Sequence, residues 1–322
     1  MQKSKGNGYS RRQFGQVVFA GLPVSILHPR GVPDPQPSPD PLRTASATSA
    51  ALQRIDSRVA GVQIGAQTYS FRTLASLDDI VKGMVTVGLG EVELMYDQAE
   101  TALGAPKGQG AEHENALREW RKSVPIGRYA EVRKKFEDAG IDLRILCFNM
   151  NRRTTDDEID YAFRMAKVLG ARMISSSTQV SVARRVAPFA DKYQMMVGYH
   201  GHSNVKDPDE FAAPESFATA LSYSKYHGIN LDIGHFTAAN FDPVPFIQAQ
   251  HGRITNLHVK DRKRNQGPNV PWGEGDTPIK EVLQLVKRER YDFPANIEFE
   301  YPGEDPVAEV AKCFKFCREA LA

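Results

Sequence analysis

Short apolar runs alternate with amphipathic segments from residue 61 to the end of the chain. Runs rich in β-branched and apolar residues predict eight strands. They lie at 62–69, 91–95, 143–149, 171–177, 195–201, 229–234, 253–260 and 295–301. The segments between them carry apolar residues at helical spacing, and several stop at a glycine. These segments predict helices near 77–88, 129–140, 156–170, 179–194, 214–228, 243–250, 278–290 and 305–321.

Eight repeats of a strand followed by a helix predict an α/β fold of the (β/α)8 TIM-barrel type. We assign residues 60–322 to this barrel as a single catalytic domain. An open doubly wound sheet is the alternative. The barrel is favoured because the count reaches eight and no Gly-rich phosphate loop follows the first strand. The long connection at 97–125 is expected to be a loop, and loops of that length are often lids.

Residues 1–50 differ from the rest of the chain. Arg11 and Arg12 precede an apolar run at 17–27 that is too short to span a bilayer as a stable helix. A basic region followed by a short apolar run is typical of a signal peptide, and the paired arginines resemble the twin-arginine export signal. A Pro- and Ser-rich linker follows. We therefore expect periplasmic or secreted localisation, with no stable membrane insertion after signal cleavage.

The net charge and the number of cysteines argue against two classes of protein, nucleic-acid-binding proteins and disulfide-stabilised proteins. The formal net charge is +2, which argues against a strongly basic surface, so no nucleic-acid partner is expected. Three cysteines do not make a disulfide framework. Cys313 and Cys317 are four residues apart on a predicted helix and are expected to pack in the core.

Metal-ligand residue types gather at the ends of the last four predicted strands. The active site of such a barrel lies at the C-terminal ends of its strands. Charged groups inside a barrel are costly unless they are paired or bind a metal. We therefore predict one divalent ion (Mn, Zn, Co, Fe or Mg). The proposed ligands are His200, Asp232, His258 and Glu298.

Lys260 lies two residues after His258, on the same face of the strand. A nearby metal cation should lower the pKa of Lys260 and favour its neutral form, so we predict that it is the catalytic base. An ion pair with Asp261 or Glu300 is the alternative. Glu298 or Glu300 is the alternative catalytic proton carrier.

Other polar and aromatic residues are candidates for substrate binding. Trp272 lies on the loop after the seventh strand, where its ring could stack on a sugar or simply pack the loop. The histidines at positions 113, 227 and 251 are expected at the surface. The predicted substrate-binding residues are Glu93, His202, His235, Trp272 and Glu300.

Three stretches carry a resemblance to a known superfamily. "NLDIGH" at 230–235, "NLHVKDR" at 256–262 and "NIEFE" at 296–300 resemble the xylose-isomerase-like TIM barrels. That superfamily includes sugar-phosphate isomerases and epimerases, inosose dehydratases and isomerases, ketose 3-epimerases and endonuclease IV. The resemblance covers roughly residues 60–320. It implies that His235 contacts substrate and that Glu93 occupies a common acidic position.

The resemblance also implies a ligand set with one departure. In the epimerase branch, Glu, Asp, His and Glu at four successive strand ends hold the metal. The last three fall on Asp232, His258 and Glu298, whereas the first falls on His200. Those epimerases use two opposed glutamates as acid and base, so His200 argues against that mechanism here.

The resemblance predicts a metal-dependent isomerase or epimerase that acts on a small carbohydrate or keto-sugar through an enediolate. One alternative is a metal-dependent lyase or hydrolase of 3-keto-glycosides, or a dehydratase of a keto-polyol. Another is a non-catalytic periplasmic sugar-binding barrel. An activity like that of endonuclease IV would need about three metals and a basic groove, and the sequence indicates neither. The sequence leaves the oligomeric state open.

Overall fold

The computed structural model describes residues 54–322, so the predicted signal and linker at 1–50 lie outside the described residues. The strands are β1 Arg58–Val59, β2 Val62–Gln67, β3 Glu91–Met95, β4 Asp142–Cys147, β5 Met173–Ser176, β6 Met196–His200, β7 His227–Asp232, β8 Ile254–Val259 and β9 Ala295–Ile297. Strands β2 to β9 pair in order and in parallel, and β2 also pairs with β9. This closed eight-stranded sheet confirms the predicted (β/α)8 barrel. β1 adds an antiparallel pair with β2.

Helices surround the barrel. They are α1 Leu77–Val87, α2 Tyr96–Ala102, α3 Gly110–Ser123, α4 Tyr129–Asp138, α5 Asp156–Leu169, α6 Val180–Tyr193, α7 Pro214–Leu221, α8 Ile233–Ala238, α9 Pro243–Gln250, α10 Ile279–Glu289 and α11 Pro306–Leu321. Helix α5 shows how the sequence sets these ends. Thr155 and Glu158 form a reciprocal capping box at its start, and Gly170 ends it with a φ of 75°. In the described residues, no helix is both long and apolar enough to cross a membrane.

The predicted helix at 214–228 is shorter than expected. Helix α7 ends at Leu221, and His227 begins β7. The Ser224 hydroxyl accepts a hydrogen bond from the backbone N–H of Tyr226 and donates one to Asp191, which favours a turn over another helical turn. The prediction that His227 lies at the surface is wrong, because its ring is buried and makes a hydrogen bond with the Tyr199 hydroxyl.

The connection at 97–125 is not the loop that its polarity predicted. It lies mostly in α2 and α3, and α3 has no buried residue. Trp120 is its contact with the apolar core, and charge supplies further contacts. Arg121 makes a two-pronged pair with Glu100 at 2.7 and 3.0 Å and reaches Glu158 at 3.0 Å. A helix with so little apolar contact leaves a weak periodic signal in the sequence.

Alternation along β8 separates the apolar core from the barrel interior. Leu257 and Val259 belong to the buried apolar core. Asn256 and His258 point the other way, and both contact Glu93 on β3 inside the barrel. The fold therefore places a buried polar layer below the C-terminal rim of the barrel. Cys313 and Cys317 on α11 lie in the core, as predicted.

Candidate active site

Four buried side chains meet at the C-terminal rim of the barrel. His200 ends β6, Asp232 ends β7, His258 lies near the end of β8, and Glu298 follows β9. One nitrogen or oxygen atom from each lies within 4.8 Å of the others. The structure therefore brings together the four residues that the sequence predicted as metal ligands.

The His200 ring shows that this cluster suits a cation. Neither ring nitrogen has a hydrogen-bond partner among residues 54–322. Nε2 lies 3.4 Å from Asp232 Oδ2 and 3.7 Å from Glu298 Oε2. A buried imidazole without a partner is costly, and a metal ion would satisfy its lone pair. Two imidazoles and two carboxylates are suitable donors for a divalent transition metal.

Glu93 lies beneath the cluster and orients His258. Its Oε2 accepts a hydrogen bond from His258 Nε2 at 2.8 Å, which leaves Nδ1 facing Glu298 Oε2 at 3.1 Å. Asn256 and Asn296 donate to the same Glu93 oxygen at 2.9 and 3.1 Å. Glu93 is fully buried and does not line the pocket. Its position therefore suits support of a metal ligand, and not the substrate contact that the sequence suggested.

The charges around His258 and Glu93 stabilise each other. Burial alone would raise the pKa of Glu93, but the neighbouring His258 lowers it below its ordinary value. Burial alone would lower the pKa of His258, but the carboxylates of Glu93 and Glu298 raise it well above its ordinary value. The buried imidazole therefore lies between two carboxylates, those of Glu93 and Glu298.

Asp232 is fixed by the helix that follows it. It caps α8 by accepting a hydrogen bond from the backbone N–H of His235 at Oδ1, 2.7 Å away. The cap leaves Oδ2 directed toward His200 and Lys260, at 3.4 and 3.0 Å. A helix cap thus doubles as a candidate metal ligand.

Lys260 is almost fully buried and surrounded by acids. Its ammonium nitrogen lies 3.0 Å from Asp232 Oδ2 and 2.7 Å from Glu298 Oε2, and it also pairs with Glu300. Burial alone would lower the pKa of Lys260, but these carboxylates raise it above its ordinary value. The protein's own groups therefore favour an ammonium at Lys260, and the predicted neutral base, which depends on the charge of a bound metal, stays a prediction. The alternative ion pair with Glu300 is present.

Asp261 is not a partner of Lys260 among these ion pairs. Its carboxylate accepts hydrogen bonds from the backbone N–H groups of Gly273, Gly275 and Thr277, at 2.8, 2.9 and 3.2 Å. It therefore organises the loop after β8. The adjacent residues Lys260 and Asp261 therefore point in different directions: Lys260 lies in the pocket, and Asp261 binds the loop after β8.

A pocket of about 260 Å³ opens above the cluster. His202, His235 and Glu300 line it, as predicted for substrate-binding residues, together with Lys260. The opposite wall comes from the ends of β2 to β5 and is uncharged. That wall contains Gln67, Tyr69, Met95, Cys147, Asn149 and Ser177.

The aromatic residue at this pocket is not the one that the sequence predicted. Trp272 packs edge-on against Phe316 of α11 and does not line the pocket. Tyr69 does line it and is 37% exposed. The Arg72 guanidinium lies 4.6 Å from the centre of the Tyr69 ring. The sequence feature that could have identified Tyr69 is its position, as an aromatic residue just after the first strand of the barrel.

His202 belongs to a chain of three polar residues along the pocket. Its Nε2 lies 3.2 Å from the Ser177 hydroxyl, and its Nδ1 lies 3.6 Å from Glu210 Oε1. Burial and the neighbouring His200 lower the pKa of His202 to about 4, so its ring is neutral at neutral pH. Ser177 and Glu210 were missed because neither belongs to a motif in the sequence.

Arg262 fixes the orientation of His235. Its Nη1 donates to His235 Nδ1 at 2.6 Å, and its other contacts are Ser203 Oγ and the Gly267 carbonyl. Since a guanidinium only donates, His235 Nδ1 accepts and the proton lies on Nε2. Burial and the Lys260 ammonium lower the pKa of His235 well below its ordinary value. His235 is therefore a neutral donor at the pocket. Arg262 is the last residue of the NLHVKDR motif, but the motif alone does not indicate this contact with His235.

Comparison with known families and proteins agrees with the barrel fold. The family model for the xylose isomerase-like TIM barrel matches residues 86–319. L-ribulose-5-phosphate 3-epimerase UlaE of Escherichia coli O1:K1 is 33% identical over 119 residues, which is 35% of this chain. This match covers only 42% of the length of that relative.

Two solved structures have a similar fold. The IolI protein, solved with a bound zinc atom, superposes with a TM-score of 0.58 at 13% identity, over 81% of this chain and 96% of its own. The apo form of 3-keto-D-glucoside 4-epimerase YcjR from E. coli has a TM-score of 0.57 at 10% identity, over 80% of this chain and 99% of its own. At these identities, the likeness shows the fold alone.

Proposed function

Because the chain belongs to the xylose isomerase-like TIM barrel family, we propose that it is a metal-dependent isomerase or epimerase of a small keto-sugar. The observation that carries this proposal is the buried cluster of His200, Asp232, His258 and Glu298 at the floor of an open pocket. The epimerase activity of the relative UlaE and the zinc in the IolI structure support it.

The proposed chemistry is proton transfer at a carbon next to a carbonyl. A bound divalent ion would supply a Lewis acid that polarises the carbonyl and stabilises an enediolate. Glu298 and Glu300 both line this wall, and Glu298 is the carboxylate proposed to accept the proton. The Lys260 ammonium, which lines the same pocket, would donate a hydrogen bond to the substrate oxygen on which negative charge develops.

The Ser177–His202 pair can serve the second proton-transfer step. Its imidazole is neutral, and both residues line the pocket. His200 stands where the epimerase branch has a glutamate, so proton transfer on that side needs another group. We propose that the Ser177 hydroxyl, hydrogen-bonded to His202, is the group that exchanges a proton with the substrate.

The direct test is hydrogen exchange with solvent. The full chain is loaded with Mn, Zn, Co, Fe or Mg in D2O and given a panel of ketoses and 3-keto-glycosides, with and without a phosphate group. Proton NMR then follows loss of the signal next to the carbonyl. We expect exchange in the metal-loaded protein and none in Glu298→Gln, while the exposed control Glu304→Gln keeps its activity.

The outcomes separate the candidate functions. Exchange that leads to a new sugar supports an isomerase or epimerase. Release of an aglycone or of water would replace it with a lyase, hydrolase or dehydratase. Sugar binding without exchange, in protein that holds a full equivalent of metal, would overturn the catalytic proposal and favour a binding barrel.

A further inference from the structure

Lys260 contacts the same two oxygens that a metal ion would use. Its ammonium lies 3.0 Å from Asp232 Oδ2 and 2.7 Å from Glu298 Oε2. These oxygens are also the closest carboxylate neighbours of His200, at 3.4 and 3.7 Å. A lysine side chain thus supplies positive charge inside the ligand cluster itself.

The stem of Lys260 is tightly packed inside the site. The side chain is 2% exposed. It passes over Gly234 so closely that a Cβ at that position would lie 2.4 Å from Lys260 Cγ. Gly234 is the second residue of α8, the helix that begins directly after the candidate ligand Asp232. Backbone and stem therefore hold the ammonium near the carboxylates, and only its terminal part has freedom to move.

Glu300 is a partner of the ammonium outside the cluster. It pairs with Lys260 at the same time as Asp232 and Glu298 do, but it is not one of the four clustered residues. Its side chain is 23% exposed, whereas Asp232 is fully buried. An ammonium that withdraws from Asp232 and Glu298 therefore still has Glu300 as its partner and leaves their oxygens free for another cation.

We propose that Lys260 is an internal counter-cation that competes with the metal for Asp232 and Glu298. Without metal, its charge reduces the repulsion between the two carboxylates, which would otherwise push them apart. When a metal binds, the ammonium withdraws from these two carboxylates and keeps its pair with Glu300. Lys260 therefore weakens metal binding and keeps the ligands assembled, while Glu300 favours metal binding. This inference rests on the metal site of the proposed function.

The test is a set of metal affinities measured on the full chain by competition with a chromophoric chelator, for Mn, Co and Zn. Lys260→Met keeps the length of the side chain and removes the charge. We expect it to bind metal at least about tenfold more tightly, and to unfold at a lower temperature when stripped of metal. Glu300→Gln should bind metal more weakly, because the displaced ammonium loses its partner. Lys263→Met, at an exposed lysine nearby, is the matched control.

The results distinguish two kinds of failure. A wild-type chain that binds none of the metals overturns the proposed function and this inference together. A wild-type chain that binds metal, with unchanged or weaker affinity in Lys260→Met, overturns the counter-cation role alone. If Lys260→Met does not fold, Glu300→Gln decides the question, and an unchanged affinity there overturns the proposal.

Discussion

Glu93→Gln tests whether the buried layer under the cluster controls metal binding. Glu93 Oε2 receives hydrogen bonds from His258, Asn256 and Asn296, and its Oε1 accepts one from Ser175. Glutamine keeps this shape, because its amide nitrogen can face the Ser175 hydroxyl, which can also accept. The substitution therefore removes the charge beside His258 Nε2 and little else.

The magnitude follows from that one interaction. A hydrogen bond to a charged group contributes about 1.5–3 kcal/mol, and one between neutral groups contributes about 1 kcal/mol. Since glutamine exchanges the first for the second, the loss is about 0.5–2 kcal/mol, which weakens metal binding by about 2- to 30-fold at about 1.4 kcal/mol for each factor of ten. Loss of the carboxylate partner of a metal-bound histidine weakens binding by about 10- to 100-fold in other metal sites, so the upper part of this range is expected.

The assay is a metal titration with a matched control at Glu91. This residue lies two positions earlier on β3 and is also buried. Burial raises the pKa of Glu91 well above its ordinary value, which favours the neutral form that glutamine mimics. We expect Glu91→Gln to bind metal like the wild type. Wild-type affinity in Glu93→Gln, or an equal loss in both variants, would refute the reasoning.

Three further predictions test other parts of the molecule. Ser177→Ala should lower solvent proton exchange at least about tenfold with an unchanged metal equivalent, and an unaltered rate would remove Ser177 from the mechanism. Arg121→Met leaves the buried carboxylate of Glu100 without its partner, so the free energy of unfolding measured in urea should fall by about 3 kcal/mol; a loss below about 1 kcal/mol would show that charge does not hold α3 in place. Replacing Arg11 and Arg12 together with lysine should keep the protein in the cytoplasm, as followed by cell fractionation; continued export would argue against a twin-arginine signal.

The barrel could be predicted because each strand has a recognisable pattern in its own short stretch of sequence. β3, β7 and β8 are short apolar runs, and the following polar residues mark the C-terminal rim. Once eight such runs are counted, parallel pairing brings the ends of neighbouring strands together. That geometric rule is sufficient to predict that Asp232, His258 and Glu298 gather, without any knowledge of distances.

The supporting contacts could not be predicted, because they join residues far apart in the chain. Glu93 makes a hydrogen bond with His258 across the barrel interior, and Ser177, on the loop after β5, makes one with His202, on the loop after β6. Arg262 is adjacent to the recognised motif, but only the fold shows that it reaches His235. The protonation of Lys260 depends on how three carboxylates pack around it, which a motif does not specify.

The predicted helices differ from the observed ones where side-chain contacts, and not apolar periodicity, determine the extent of a helix. Ser224 ends α7 through its own hydrogen bonds, and α3 is held by Arg121 and by Trp120 without a buried apolar stripe. Trp272 and Tyr69 are both aromatic residues on loops. Only the packing of Trp272 on Phe316 shows which of them faces the pocket.

Elemental analysis of the full chain after reconstitution tests the central claim most directly. The wild type and a His258→Ala variant are each incubated with Mn, Zn, Co, Fe or Mg, desalted, and measured by plasma mass spectrometry. The account predicts about one equivalent of metal in the wild type, by the single four-residue cluster in the described residues, and its loss in the variant. No retained metal in the wild type with any ion, or an equal content in the variant, would contradict the account.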